Sequence, residues 1–569
     1  MTTRARPSVP VEGHYGVAVR RRTSSRWKSR PAALVALVAV LALLLTACSS
    51  TPAARAHATT QPKPKSKPHK PVPAKLVTFP GPYGREASWV VAENRLPGTE
   101  AWRITKGASP QISGFANKTY ASEGTKVTLY VSTPARSFRV EAFRMGYYQG
   151  KGARLVWESK SLKGHLKAPC QLTPGVNMVS CDRWAPTLVV KVTPAFVQGD
   201  YLFKLVGSGG QQSYIPLTVW DPTSSAAFLV KNDVYTWQAW NPYGGYDFYS
   251  GLGSCPSNVY PLCSRARIVS FDRPYGYGEG AGDFLGSEYP FVRFAEEHGL
   301  DVTYVTDVTV EQHPKILRYH RALLSLGHDE CWSLGERRAA VAAEAGGINI
   351  VLFGASPILR HVRPQASPFG ADREEVDYRD GSADPLNGKA NPLEVTGNTW
   401  SSPPASWSEV GFVGENYIGF VVPGGGTFPF VVADGAAWIF KGTGLRTGSS
   451  VPGVISTDLD EFDSGDYPPD LEILGHSPVP LKDAVSEGGY LQGYLASDMT
   501  YWSDAASQAG IWDSGTTNWI PSLAPCPATA SSCPATMVGK ITGNLLALFG
   551  RGPAGRRQPS KANWRSIYR

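Results

Sequence analysis

What the chain lacks narrows its class first. It has no Gly-rich loop of the P-loop or dinucleotide type, which argues against the common nucleotide-binding chemistries. It has no internal repeat, which argues against a solenoid or propeller. It has no comfortable membrane span: the apolar run Ala32 to Leu45 is 14 residues long, whereas a bilayer needs about 20. It also lacks a basic body. The whole chain is +9, but residues 1–76 carry +13 and residues 550–569 carry +6, so residues 77–549 carry −10. A mildly acidic body argues against nucleic-acid binding.

The amino end reads as targeting rather than fold. Arg20, Arg21, Arg22, Arg26, Lys28 and Arg30 form a basic region ahead of the apolar run, which ends in Leu45-Thr46-Ala47-Cys48-Ser49. Residues 1–48 therefore read as a signal segment whose end resembles a bacterial lipobox. Cleavage before Cys48 and lipidation of its thiol would anchor the body on the outer side of the cell membrane. An ordinary signal peptide with an incidental Cys is the plainer alternative. Residues 49–76, with Gln61-Pro62-Lys63-Pro64-Lys65-Ser66-Lys67-Pro68, read as an extended, solvated tether. Cysteine usage fits export. Cys170 with Cys181, Cys255 with Cys263, and Cys526 with Cys533 are close pairs suited to three local disulfides in an oxidising compartment. Cys331 is left over.

Residues 78–222 read as a β-sandwich without a helix signature. Lys126 to Val131, Ser137 to Phe143 and Tyr201 to Leu205 alternate, Thr187 to Val192 is strand-like, and turn signals separate the runs. From residue 226 apolar runs alternate with helical ones up to 549. Strands are expected at Ala227 to Val230, Arg265 to Phe271, Asp301 to Val305, Leu323 to Leu326 and Asn349 to Phe353. Helices are expected from Ser287 to Gly299, Glu311 to His320, Ser333 to Glu344 and Ile541 to Phe549. That alternation implies a mostly parallel sheet with helices on both faces, a three-layer α/β domain. Residues 360–480 read as long excursions with short strands at Trp438-Ile439-Phe440 and Gly453-Val454-Ile455. Residues 550–569 read as a loose basic tail.

The densest chemistry lies at Gly327-His328-Asp329-Glu330-Cys331-Trp332-Ser333, after a buried strand and before the capping pattern Ser333-Leu334-Gly335-Glu336. Ligands of open α/β sheets bind at such strand ends. His328 suits acid/base work, and Asp329 or Glu330 suits an orienter or ligand. A buried polar network that caps the helix is the competing reading. Cys331 is a thiol nucleophile paired with His328, or a small buried residue. Ser356, in Gly354-Ala355-Ser356-Pro357, follows a strand but lacks the second Gly of a nucleophile elbow. The run Tyr235, Trp237, Trp240, Tyr243, Tyr246, Phe248 and Tyr249 suits a ligand cleft or the packing of loops on the sheet edge. Asp458-Leu459-Asp460-Glu461-Phe462-Asp463 lacks EF-hand spacing and reads as a solvated loop.

Several motifs are similar to the C-terminal domain of the N,N-dimethylformamidase large-subunit family. They are Arg144-Met145-Gly146-Tyr147-Tyr148, Cys181-Asp182-Arg183-Trp184, Thr236 to Gly245, Glu288-Tyr289-Pro290, Gly327-His328-Asp329-Glu330 and Gly515-Thr516-Thr517-Asn518-Trp519. The resemblance implies a class I glutamine-amidotransferase-like α/β domain preceded by a β-sandwich. It also implies hydrolysis of a carbon–nitrogen bond at a mononuclear iron held by two tyrosines and a carboxylate. Tyr289 matches one tyrosine. The other position, in relatives that read His-Asp-Glu-Tyr-Trp-Ser, is Cys331 here, and a thiolate would favour a different metal or oxidation state. The carboxylate has five candidates: Glu374, Glu375, Asp377, Glu415 and Asp458. The family reading therefore expects an extracytoplasmic hydrolase acting on a small amide or on cell-wall polymer. The alternative is a non-catalytic surface binding or structural lipoprotein whose metal site has degenerated.

Overall fold

In the strand Lys126–Ser132 the side chains of Val127, Leu129 and Val131 point inward, and in Ser137–Met145 those of Phe138, Val140 and Ala142 do the same. This period of two buries one face of each strand, and the two faces meet. In the computed structural model, which describes residues 77–105, 111–253, 264–389, 391–487, 493–527 and 533–568, these strands belong to two antiparallel layers. The first orders Leu188–Lys191, Lys126–Ser132 and Ser113–Ala116; the second centres on Gln212–Val219, Gly199–Gly207, Ser137–Met145 and Ala153–Glu158. Both contribute to one core, with Phe203, Leu205, Ile215 and Leu217 facing the residues named above.

The second half is a mixed α/β arrangement around a seven-stranded, mostly parallel sheet. Its order is Val302–Thr306, Phe228–Asn232, Ala322–Ser325, Asn349–Leu352, Gly510–Asp513, Leu495–Ser503 and Glu472–Val479. The first five are mutually parallel, and Leu495–Ser503 is antiparallel to both of its neighbours. The central strands are buried along their whole length, which is why they read as continuous apolar runs. Val230, Leu324 and Val351 pack with the helices Tyr289–Glu297 and Ala535–Phe549. Leu229, Leu323 and Ile350 pack with the helix Leu334–Glu344. Both faces are thus covered. Cys331–Ser333 lies in a separate four-stranded sheet, parallel to Arg360–Ser367.

The sandwich strands are tied to the α/β layers by a buried bidentate pair. Arg144 Nη2 and Nη1 lie 2.6 and 2.8 Å from Glu296 Oε1 and Oε2, both side chains fully buried. Tyr304 O–H and Asn94 Nδ2 donate to the same carboxylate at 2.9 and 2.6 Å.

Several local expectations change. A short helix, Ser88–Asn94, lies within the stretch read as all β; seven residues are too few for helical periodicity to show. The helix expected from Glu311 starts at Asp307, because Thr306 caps it with its side chain on Thr309 N, and it ends before Pro314. Trp438–Phe440 is one turn of 3₁₀ helix. Asp458–Phe462 is a buried strand paired with Glu415–Val421, not a solvated loop. The basic tail is docked rather than loose. Asn563 Oδ1 accepts from Ile473 N–H at 2.8 Å, its Nδ2 donates to Ile473 O at 2.9 Å, and Tyr568 O–H donates to Asp498.

Of the three disulfides expected, two are present among the described residues, Cys170–Cys181 and Cys526–Cys533. The third expectation is a bond between Cys255 and Cys263. Cys255 lies outside the described residues, and Cys263 lies outside them as well, so that pairing stays an expectation of the sequence alone. The segment 1–76, with Cys48 and the tether, also lies outside the described residues.

Candidate functional site

Two neighbouring parallel strands, Ala322–Ser325 and Asn349–Leu352, end in loops that touch. Gly327 takes φ +67°, and a Cβ added to Gly354 would lie 2.1 Å from the Gly327 carbonyl oxygen, so only glycine permits this approach. The approach sets His328 beside Ser356. Ser356 itself takes φ +55°, an unusual value for a non-glycine residue. Its N–H is gripped by both oxygens of Asp460 at 2.8 Å. The strand that carries Asp460 also brings Asp458 to the same point.

His328 Nε2 lies 2.8 Å from Asp458 Oδ2 and 3.2 Å from Ser356 Oγ. Ser356 Oγ is 3.2 Å from the same Asp458 oxygen and donates to the Ala355 carbonyl at 2.7 Å. The His328 and Asp458 side chains are 21% and 20% exposed, whereas Ser356 is 2% exposed. Solvent thus reaches the imidazole–carboxylate pair and barely reaches the hydroxyl. Burial works against a charged imidazole here, but Asp458 beside it, helped by Glu330 and Asp233, raises His328 to about 10. At neutral pH the ring is an imidazolium hydrogen-bonded to a carboxylate.

Glu330 forms the floor. Its Oε1 accepts from Arg360 Nε at 3.0 Å, and its Oε2 accepts from Trp240 Nε1 at 3.1 Å and from Tyr249 O–H. That oxygen lies 3.8 Å from His328 Nε2. Burial alone would raise Glu330, but Arg360, His328 and Arg379 outweigh it and hold the group below the usual carboxylate range. Trp240 and Tyr249 stack with centroids 3.6 Å apart, and Trp240 leans over His328 at 5.8 Å. The result is a flat aromatic wall beside one cation and two carboxylates.

The other residues singled out from the sequence go elsewhere. Asp329 turns away from this cleft to Lys231, whose buried ammonium lies 2.5 Å from Asp329, 2.5 Å from Glu336 and 2.7 Å from Asp307. Cys331 is fully buried and its N–H donates to Thr236 Oγ1 at 3.0 Å; burial first, then Glu330, Glu375 and Asp377, push its thiol far up. Tyr289 donates its O–H toward the carbonyls of Gly152 and Gly146 at 3.0 and 3.2 Å and meets Trp102 edge-on. Tyr289 and Cys331 therefore face different partners, one at the sandwich boundary and one beneath the helix Val234–Ala239. They do not fit a pair of ligands on one iron. Of the carboxylate candidates, Asp458 reaches the cleft. Glu374 accepts from Gln365 at 2.7 Å, Asp377 pairs with Arg379 at 3.3 Å, Glu375 is buried with neither oxygen partnered, and Glu415 belongs to a separate acidic cluster. Arg360 went unnoticed in the sequence. Tyr249 was visible only as one member of an aromatic run.

No curated protein matches the chain. Residues 139–533, which span the carboxyl-terminal part of the sandwich and most of the α/β layers, match the family described as N,N-dimethylformamidase beta subunit-like, C-terminal. With most of its length inside that match, the chain belongs to the N,N-dimethylformamidase beta subunit-like, C-terminal family.

Proposed function

We propose that this protein hydrolyses the carbon–nitrogen bond of a small amide, outside the cytoplasmic membrane and anchored through lipid on Cys48. The observation that carries the activity is the solvent-reachable pair His328–Asp458 at 2.8 Å, with His328 just past the carboxyl end of a parallel strand. Family membership and the helix-covered parallel sheet support the amidotransferase-like comparison for the fold.

In this reading Asp458 is the base and His328 the acid. Asp458 takes a proton from a water that attacks the amide carbonyl carbon, and the carbon–oxygen bond forms. His328 gives its Nε2 proton to the leaving nitrogen as the carbon–nitrogen bond breaks. The products are a carboxylic acid and an amine, and the proton held by Asp458 returns the pair to its starting state. Ser356 is a positioning residue whose hydroxyl braces both partners. The Trp240–Tyr249 stack gives a planar amide a surface to lie on, and Glu330, fixed by Arg360, adds to Asp458 in keeping His328 charged.

The second reading, a binding lipoprotein without catalysis, draws on Trp240, which stays 40% exposed beside the cleft. Purified protein is incubated with formamide, N,N-dimethylformamide, acetamide and short peptide-like amides, and released amine is measured. Amine release that disappears in His328→Ala and Asp458→Asn supports the hydrolase. No release from any of these substrates leaves the binding role. Membrane partitioning of the full-length chain against Cys48→Ala tests the anchor, and equal partitioning rejects it.

A further inference from the structure

Among the described residues two groups of three acidic side chains are buried, and they differ in one respect. Asp307, Asp329 and Glu336 surround the Lys231 ammonium, which supplies the positive charge. Glu415, Asp460 and Asp513 also bring carboxylate oxygens within 4.8 Å of one another, with every side chain at most 1% exposed. Among the described residues no lysine, arginine or histidine forms an ion pair with any of the three.

The acids come from three strands that the fold holds rigidly. Glu415 opens Glu415–Val421, Asp460 lies in the paired strand Asp458–Phe462, and Asp513 ends Gly510–Asp513. Some of their lone pairs are already used. Asp460 accepts from Ser356 N–H, Asp513 Oδ1 accepts from Gly515 N–H at 2.9 Å, and Glu415 Oε1 accepts from Thr500. Glu415 Oε2 and Asp513 Oδ2 are buried without any partner. Two orphaned carboxylate oxygens beside a third acid, with no countercharge, are costly in a dry interior.

We propose that Glu415, Asp460 and Asp513 form a buried site for one hard divalent cation of the Mg²⁺, Mn²⁺ or Ca²⁺ class. All the donors are oxygens, the chemistry these ions select, and their spacing admits metal–oxygen distances of about 2.0–2.6 Å. The donor set has no tyrosine and no thiol, so this site is distinct from the iron site that the family resemblance implies. Its consequence is positional. By fixing Asp460, the ion fixes the carboxylate that grips Ser356 N–H and holds the loop beside His328. The alternative for such a cluster is neutralisation by shared protons.

The test uses the tag-free chain. Elemental analysis is expected to find about one equivalent of Mg, Mn or Ca per chain in the wild type and none in Asp513→Asn or Glu415→Gln. Chelation is expected to lower the wild-type Tm by several degrees, with one of the three chloride salts restoring it, while neither variant responds. His328→Ala should keep its metal, so a failed hydrolase reading and a failed cation site are told apart. A metal-free wild type whose Tm ignores all three salts overturns the proposal and leaves shared protons. Stoichiometric zinc or iron at this cluster overturns the hard-cation class. Should both variants fail to fold, the wild-type metal content and salt response still decide.

Discussion

The His328 imidazole and the Asp458 carboxylate face each other at 2.8 Å, although one follows a strand of the seven-stranded sheet and the other belongs to an excursion outside it. The pair gives a prediction with a defined sign. His328 is raised from its ordinary 6.5 to about 10 in the folded state. Its contribution to stability is therefore fully present below about pH 6.5 and is lost as pH rises through about 10. Unfolding midpoints in urea between pH 6 and 10.5 should fall over that window in the wild type. The fall should be largely absent in Asp458→Asn. If His328 is also the acid, kcat/KM of the wild type should fall on an alkaline limb near pH 10, and activity in His328→Ala should fall by about 10²–10⁴.

Lys231 is a second pressure point. Lys231→Met removes the ammonium that pairs with Asp307, Asp329 and Glu336, and breaking a buried pair in this way costs roughly 3–5 kcal/mol. Burial already raises Asp307 to about 6 and pushes Glu336 above the usual carboxylate range, and loss of the ammonium raises both again. Acids raised in the folded state stabilise at low pH and lose that as pH rises. The variant should therefore be closer to wild type at pH 5 than at pH 8 by thermal melting. An equal deficit at both values would contradict this account.

Glu296→Ala should strand the Arg144 guanidinium between the sandwich and the α/β layers. The expected cost is again roughly 3–5 kcal/mol. The released contact also includes Tyr304 and Asn94, so the double variant Arg144→Met, Glu296→Leu should recover much of the loss. Chemical denaturation of the three proteins measures it.

Cys331 should be inert in the native protein. Its thiol is fully buried and held protonated, so a maleimide at pH 7.5 should leave it unlabelled until denaturant is added, with mass spectrometry locating the adduct. Non-reduced peptide maps from the same samples test whether Cys255 and Cys263 are joined to each other; free thiol at Cys263 would reject that third bond. Cys331→Ser should leave amine release nearly unchanged. A large loss would return the thiol to the reaction.

The strand at Ala322, the His328 loop and the cap at Ser333 were legible because each signal is local: an apolar run, a glycine, a hydroxyl three residues before Glu336. The disulfides Cys170–Cys181 and Cys526–Cys533 were legible for the same reason, since a short separation leaves each thiol one near partner. Locality misled at Asp458-Leu459-Asp460-Glu461. Four residues that look solvated from composition form a buried strand, because their carboxylates meet partners that only the fold supplies, such as Ser356 N–H and His328. Tyr249 and Arg360 join Glu330 from distant segments, so no spacing rule reaches them. Asp329 shows the reverse. It sits next to His328 and Glu330 in sequence, yet one step along the chain turns its carboxylate to Lys231.

The docked tail has one more effect. Glu472–Val479 is the outer strand of the large sheet, and such a rim offers free amide and carbonyl groups to any passing chain. The side-chain amide of Asn563 occupies both groups of Ile473 and so imitates one residue of a neighbouring strand. A single asparagine thereby covers this point of the rim. Its replacement by leucine would take both partners from Ile473 and leave that point of the rim uncovered.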